Sequence, residues 1–167
     1  MAADRRQEPH RLLRLLTSHW PHPFAAAAVN ILLERVSPRP RGPCWIDAPP
    51  CDPCPPLALD LADRLQRKTY YFPRAYARYY LGAPLGRAMR LLLGPGDAFV
   101  DIGANLGFYS LLAAQLVGGK GGVWAFEPQP GAAESLRRSA RLGGLEQVRC
   151  FQMALSDREG DLVLHCD

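Results

Sequence analysis

One stretch limits the fold more than any other: Phe99-Val100-Asp101-Ile102-Gly103-Ala104-Asn105-Leu106-Gly107-Phe108-Tyr109-Ser110. It opens as a short apolar run, turns through small residues, and continues into a segment ending near Val117 that reads as a helix. Phe99, Val100 and Ile102 are apolar and β-prone, as in a strand covered on both faces. Asp101 breaks that run with a carboxylate at the strand's carboxyl end. It either orders the following turn or accepts a hydrogen bond from a ligand. Gly103 and Gly107 admit positive φ and close approach of the backbone to another group. Ala104 keeps the turn small, and Asn105 tolerates the left-handed region. Strand, glycine turn and helix together present backbone N–H groups and a helix N-terminus to a nucleotide-like ligand. A plain βα connection needs neither the charge nor both glycines.

The residues that follow extend the same construction. Gly118-Gly119 ends the helix, and Val123-Trp124-Ala125-Phe126 is a second apolar strand with Glu127 at its end. Strand, helix and strand with a short return make a right-handed parallel unit. A carboxylate at the position of Glu127 can accept hydrogen bonds from two vicinal ribose hydroxyls. Its other reading is an acid at the N-terminus of the next helix, Gly131 to Leu142, on which Arg137 and Arg138 are expected to be solvated. Val148 to Gln152 reads as a third strand. Met153 and Ala154 follow at its carboxyl end, where an adenine would sit. After the turn Arg158-Glu159-Gly160-Asp161, Leu162 to Cys166 is a candidate fourth strand of hairpin type.

The N-terminal half is less regular. The chain has 16 prolines, clustered before residue 96. Arg11 to Leu16 begins an amphipathic helix, and Phe24 to Val36 reads as a second, stopped at Ser37-Pro38. Pro38 to Pro56 is expected to be a loop. Leu57 to Asp63 reads as a strand with Thr69-Tyr70-Tyr71-Phe72 as its β-prone partner. Tyr76, Tyr79 and Tyr80 either line a pocket or pack in the core. Leu85 to Leu93 reads as a helix with Arg87 and Arg90 on its polar side, and Gly94 to Asp97 as the turn into the central strand. The expected division is residues 1–56, helices and a proline-rich linker, and residues 57–167, the main domain.

Composition narrows the function classes. At 167 residues the chain suffices for one domain with a core of its own. Its net charge of +4 is dispersed rather than blocked, so no nucleic-acid partner is expected. No run of eighteen apolar residues marks a membrane span, and no secretory signal is evident. A cytoplasmic protein is expected, with Arg5, Arg6, Arg11 and Arg14 leaving a mitochondrial presequence as the alternative. The five cysteines, Cys44, Cys51, Cys54, Cys150 and Cys166, are odd in number and read as reduced thiols. Cys51-Asp52-Pro53-Cys54 with Cys44 gives three potential thiolates, one short of a tetrahedral zinc site, so no metal is expected. His165 reads as a surface residue.

The glycine turn is not the dinucleotide fingerprint Gly-x-Gly-x-x-Gly, because Ala104-Asn105-Leu106 separates its two glycines. It resembles motif I of class I S-adenosylmethionine-dependent methyltransferases. Asp101-Ile102-Gly103-Ala104-Asn105-Leu106-Gly107-Phe108-Tyr109-Ser110, with Ala125-Phe126-Glu127-Pro128-Gln129-Pro130 and Ala154-Leu155-Ser156-Asp157 plus Gly160, resembles in particular the FkbM family. The likeness runs from about Leu57 to Asp167.

That resemblance implies a Rossmann-like α/β fold with an incomplete doubly wound parallel sheet, preceded by N-terminal helices, and S-adenosyl-L-methionine as cofactor. By it, Asp101, Gly103 and Gly107 surround the methionine moiety, with Ala104, Asn105 and Phe108 completing the loop. Glu127 holds the ribose beside Pro128, and Met153 and Ala154 flank the adenine. It implies O-methyl transfer to a hydroxyl of a small molecule or glycan. The family's sheet has about seven strands, so the chain reads as its N-terminal portion, with the general base expected in the strands it lacks. The alternatives are a non-catalytic protein retaining the fold and a nicotinamide-dependent oxidoreductase.

Overall fold

The computed structural model describes residues 40–48, 55–80, 84–161 and 163–164. The two expected N-terminal helices, Cys51, Cys54, His165 and Cys166 lie outside them. Along the chain come β1 (Trp45–Ala48), β2 (Leu57–Asp60), α1 (Arg64–Tyr71), α2 (Pro73–Tyr80), α3 (Pro84–Leu92), β3 (Ala98–Ile102), α4 (Phe108–Val117), β4 (Gly122–Phe126), α5 (Pro130–Leu142) and β5 (Val148–Phe151).

β3, β4 and β5 form a parallel sheet in that spatial order, with Asp101 beside Ala125 and Ala125 beside Cys150. This is a Rossmann-like βαβαβ unit. Each strand is laid down on the same side of the last, so right-handed crossovers send α4 and α5 to one face. Phe99, Asp101, Val123, Ala125, Val148 and Cys150 point to that face. Leu111, Val117 and Leu136 fill it from the helices and are fully buried. Burying each such side chain contributes about 2 kcal/mol. The expectation that β3 is covered on both faces is corrected: Val100 is 55% exposed and Ile102 66%. A helix on that face needs the strand order to reverse direction, and among the described residues it does not.

The outer layer departs in part from the expectation. Trp45–Ala48, expected within a loop, is a strand that pairs antiparallel with β2 from Trp45 opposite Asp60 to Ala48 opposite Leu57. Ile46 and Ala48 point inward. Thr69 to Phe72, expected as the partner of β2, belongs instead to helix α1 and its C-cap. Asp63 caps that helix, its side chain accepting the Gln66 N–H at 2.8 Å. Tyr70, Tyr71 and Phe72 are core residues, each at most 2% exposed.

Serines of α5 fasten β2 to the helix layer. Ser135 donates its hydroxyl to the Ala58 carbonyl at 2.6 Å, and Ala58 N–H donates to Ser139 Oγ at 2.9 Å. Both backbone groups of Ala58 are thereby satisfied without a third strand. Arg138 was expected in solvent. It pairs with Glu134 at 2.7 Å, and its guanidinium carbon lies 4.2 Å from the Trp45 ring centroid. Arg137 reaches back to the Cys150 carbonyl at 3.4 Å. Of the expected fourth strand, Val163 and Leu164 are in irregular backbone and the rest lies outside the described residues. No described helix is long and apolar enough to cross a membrane.

Candidate functional site

The carboxyl ends of β3 and β4 bring Asp101 and Glu127 together with the loop between Ile102 and Phe108. The loop is stitched to β4 at its start: the N–H groups of Gly103 and Ala104 both donate to the Phe126 carbonyl, at 2.9 and 3.0 Å. At its end Gly107 N–H donates to Ala104 O at 2.9 Å, and Leu111 N–H begins the helix by donating to Gly107 O at 2.8 Å. Asn105 occupies the left-handed region at φ 51°, as its residue type allows.

The two glycines differ. Gly103 has φ +77° and open space where a Cβ would stand. Gly107 has φ +85°, and a Cβ there would lie 3.0 Å from Leu136 Cγ and closer still to its Cδ1. The close approach at Gly107 is to the core side chain of α5. Only Gly103 leaves its side of the loop open to an incoming molecule.

Glu127 joins two connections. Its Oε2 accepts the Asn105 N–H at 2.7 Å and its Oε1 the Gln129 N–H at 2.8 Å, with the residue 7% exposed. It thus serves the approach to α5, as one reading of the sequence expected, and also the glycine loop. Pro128 lies between these contacts, and Pro130 opens the helix at its first turn. Asp101 Oδ2 accepts the Ser110 hydroxyl at 2.6 Å. Burial pushes its carboxyl above the ordinary value. The Ser110 hydroxyl and backbone N–H, which favour the charged form, oppose that, and Glu127 adds to the upward push.

A small cavity of about 150 Å³ separates the loop from α1. Gly103, Ala104, Asn105 and Tyr109 face Leu65 and Thr69 across it. Larger recesses lie elsewhere, one of about 440 Å³ between α5 and the outer edge of β5, one of about 270 Å³ at the amino ends of the strands. Neither is lined by Glu127 or the glycine loop. Met153 and Ala154 follow β5 and are exposed, Met153 by 49%. The preceding residue of β5 joins them to the site: Phe151 O accepts the Glu127 N–H at 3.0 Å.

Thus Asp101, Gly103, Ala104, Asn105, Gly107, Phe108, Glu127 and Pro128 gather at one end of the sheet. Met153 and Ala154 stand at its border. Leu136 and the two α1 residues were not foreseen, because no spacing rule links them to a glycine turn; Ser110 stands within the quoted stretch, but its bond to Asp101 is not written there. Cys150 carries a free thiol. Burial pushes the Cys150 thiol up, with Arg137 opposing and Glu127 and Glu134 reinforcing. No cluster of metal-ligating side chains occurs among the described residues.

No protein-family profile matches the chain. The 2-O-methyltransferase NoeI of Sinorhizobium fredii is 37% identical over 75 residues, which is 45% of this chain and 30% of NoeI. The chain therefore spans less than a third of that relative. Among solved structures, an SAM-dependent O-methyltransferase from Thermotoga maritima is 29% identical over 41% of this chain and 26% of its own, with a TM-score of 0.38. TYW2 of M. jannaschii in complex with AdoMet is 20% identical over 59% of this chain and 39% of its own, with a TM-score of 0.43. Both likenesses are partial.

Proposed function

We propose that this chain carries the cofactor-binding half of an S-adenosylmethionine-dependent methyltransferase of the FkbM type, which transfers a methyl group to a hydroxyl oxygen of a small molecule or glycan. The observation that carries the reading is the placement of Glu127. A carboxylate at the end of β4 reaches across to a glycine loop at the end of β3, where Gly103 leaves an open side. A carboxylate has about four lone-pair sites. Its two backbone bonds leave capacity for two ribose hydroxyls. The glycine loop would receive the amino-acid end of the cofactor, and Pro128, Met153 and Ala154 its base. The similarity to NoeI supports the reaction class.

The bound cofactor supplies an activated methyl on a sulfonium. The protein's share is to hold that centre in line with the acceptor oxygen and to take up its proton. In this reading the glycine loop and Glu127 do the holding.

Calorimetric titration of the chain with S-adenosylhomocysteine and, separately, NAD tests the reading. Saturable binding of the first alone is expected. Binding of NAD alone would overturn it in favour of an oxidoreductase, and binding of neither would remove the cofactor assignment.

A further inference from the structure

We propose that Ser110 is a positioning residue for cofactor binding: its hydroxyl, donated to Asp101 Oδ2 at 2.6 Å, clasps the end of β3 to the start of α4 and so holds the loop between them in its receiving shape. The inference rests on the cofactor reading above and adds to it a residue that no ligand needs to touch.

Ser110 is fully buried. It acts on the loop only through the residue it binds. Asp101 precedes the loop and Ser110 follows it, so one short hydrogen bond ties both ends of the suspended segment. The helix has a use for this bond. Its N-cap is Gly107, which has no side chain to accept a first-turn N–H. Asp101 takes that part from across the loop, because the backbone N–H of Ser110 as well as its hydroxyl stabilises the carboxylate. A negative charge there also suits the helix dipole.

The clasp works against burial. Asp101 is shielded from water, and the other charge facing it, Glu127, repels it. Without the Ser110 hydroxyl the carboxyl takes up its proton at a higher pH, and the remaining bond from the Ser110 backbone N–H weakens sooner on acidification. A serine that merely filled space would not have this effect.

Two measurements on the full chain test the proposal. In the ligand-free protein, amide hydrogen exchange over residues 103–108 is expected to be faster in Ser110→Ala than in wild type, with α5 unchanged. Exchange at the wild-type rate would refute the clasp whether or not a cofactor binds. In calorimetric titrations with S-adenosylhomocysteine across acid to neutral pH, Ser110→Ala is expected to bind roughly tenfold more weakly. Its acid limb should move to higher pH, and Asp101→Asn should lose that limb. Weaker binding with an unmoved limb would reduce Ser110 to a packing residue. Should Ser110→Ala fail to fold, Ser110→Cys, which replaces the hydroxyl with a weaker donor, decides the same limb. No binding by wild type at any pH would defeat the cofactor reading, while the exchange experiment still decides the clasp.

Discussion

Of the three connections that leave the carboxyl end of the sheet, those after β3 and β5 are held in opposite ways. Between Ile102 and Phe108 the N–H groups of Gly103, Ala104, Asn105 and Gly107 all reach acceptors within the protein, and Ala104 and Leu106 are buried. From Gln152 to Asp161 every residue is exposed. The polar contacts there are local, Ser156 with Asp157 at 3.1 Å and Arg158 with Asp157 at 3.6 Å. The first connection is shaped by the fold before any ligand arrives. The second is exposed along its length, so in the proposed reading Met153 and Ala154 would settle into place against a ligand.

The contrast sets an order of expected effects. Gly107→Ala should be the most damaging, because the new Cβ meets Leu136 and φ is positive. Overpacking and left-handed strain together cost about 3 kcal/mol, to be read from urea denaturation. Glu127→Ala comes next. It strips acceptors from the Asn105 and Gln129 N–H groups, at a cost of about 2 kcal/mol by the same method. Gly103→Ala pays only the backbone conformation, about 1 kcal/mol, since its Cβ meets open space. A Gly103→Ala variant as unstable as Gly107→Ala would erase the distinction between the two glycines.

Asp101→Asn changes a slope. The folded carboxyl binds its proton more tightly than the unfolded one, whose ordinary value is 3.8. Wild-type stability therefore carries a contribution present below that value and lost as pH rises through the raised folded pKa. Asparagine does not titrate, so the variant's stability relative to wild type should climb over that window. Thermal unfolding across a pH series measures it, and a flat difference would contradict the burial of Asp101. Met153→Ala should be the mildest, within about 0.5 kcal/mol, because the residue is half exposed and lies outside the core. A larger loss would show that the second connection is held after all.

The strength of the glycine loop also made it legible. Strand, turn and helix were readable because Phe99, Asn105 and Gly107 obey local rules of β-propensity and backbone freedom. Glu127 was readable because strand ends recur at fixed places in parallel sheets. What stayed hidden depends on contacts distant in sequence. β1 has an alternating pattern only four residues long among prolines, and its strand character comes from pairing with β2. Thr69 to Phe72 is β-prone by residue type, yet Asp63 caps a helix that carries it into the core. The pattern Asp63-x-x-Gln66 was the available signal for that helix. Gln66 Oε1 instead accepts the Asp60 N–H at 2.8 Å, tying the helix to β2. The exposed face of β3 was equally invisible, because an apolar run does not say which neighbour will cover it.

The most direct test is a nuclear magnetic resonance titration of the isotope-labelled chain with S-adenosylmethionine, following each backbone amide. Saturable shifts are expected, centred on Gly103, Asn105 and Glu127 and spreading to Met153 and Ala154. Saturable shifts confined to another surface, or a spectrum of a folded protein that the cofactor leaves unchanged, would contradict the cofactor reading.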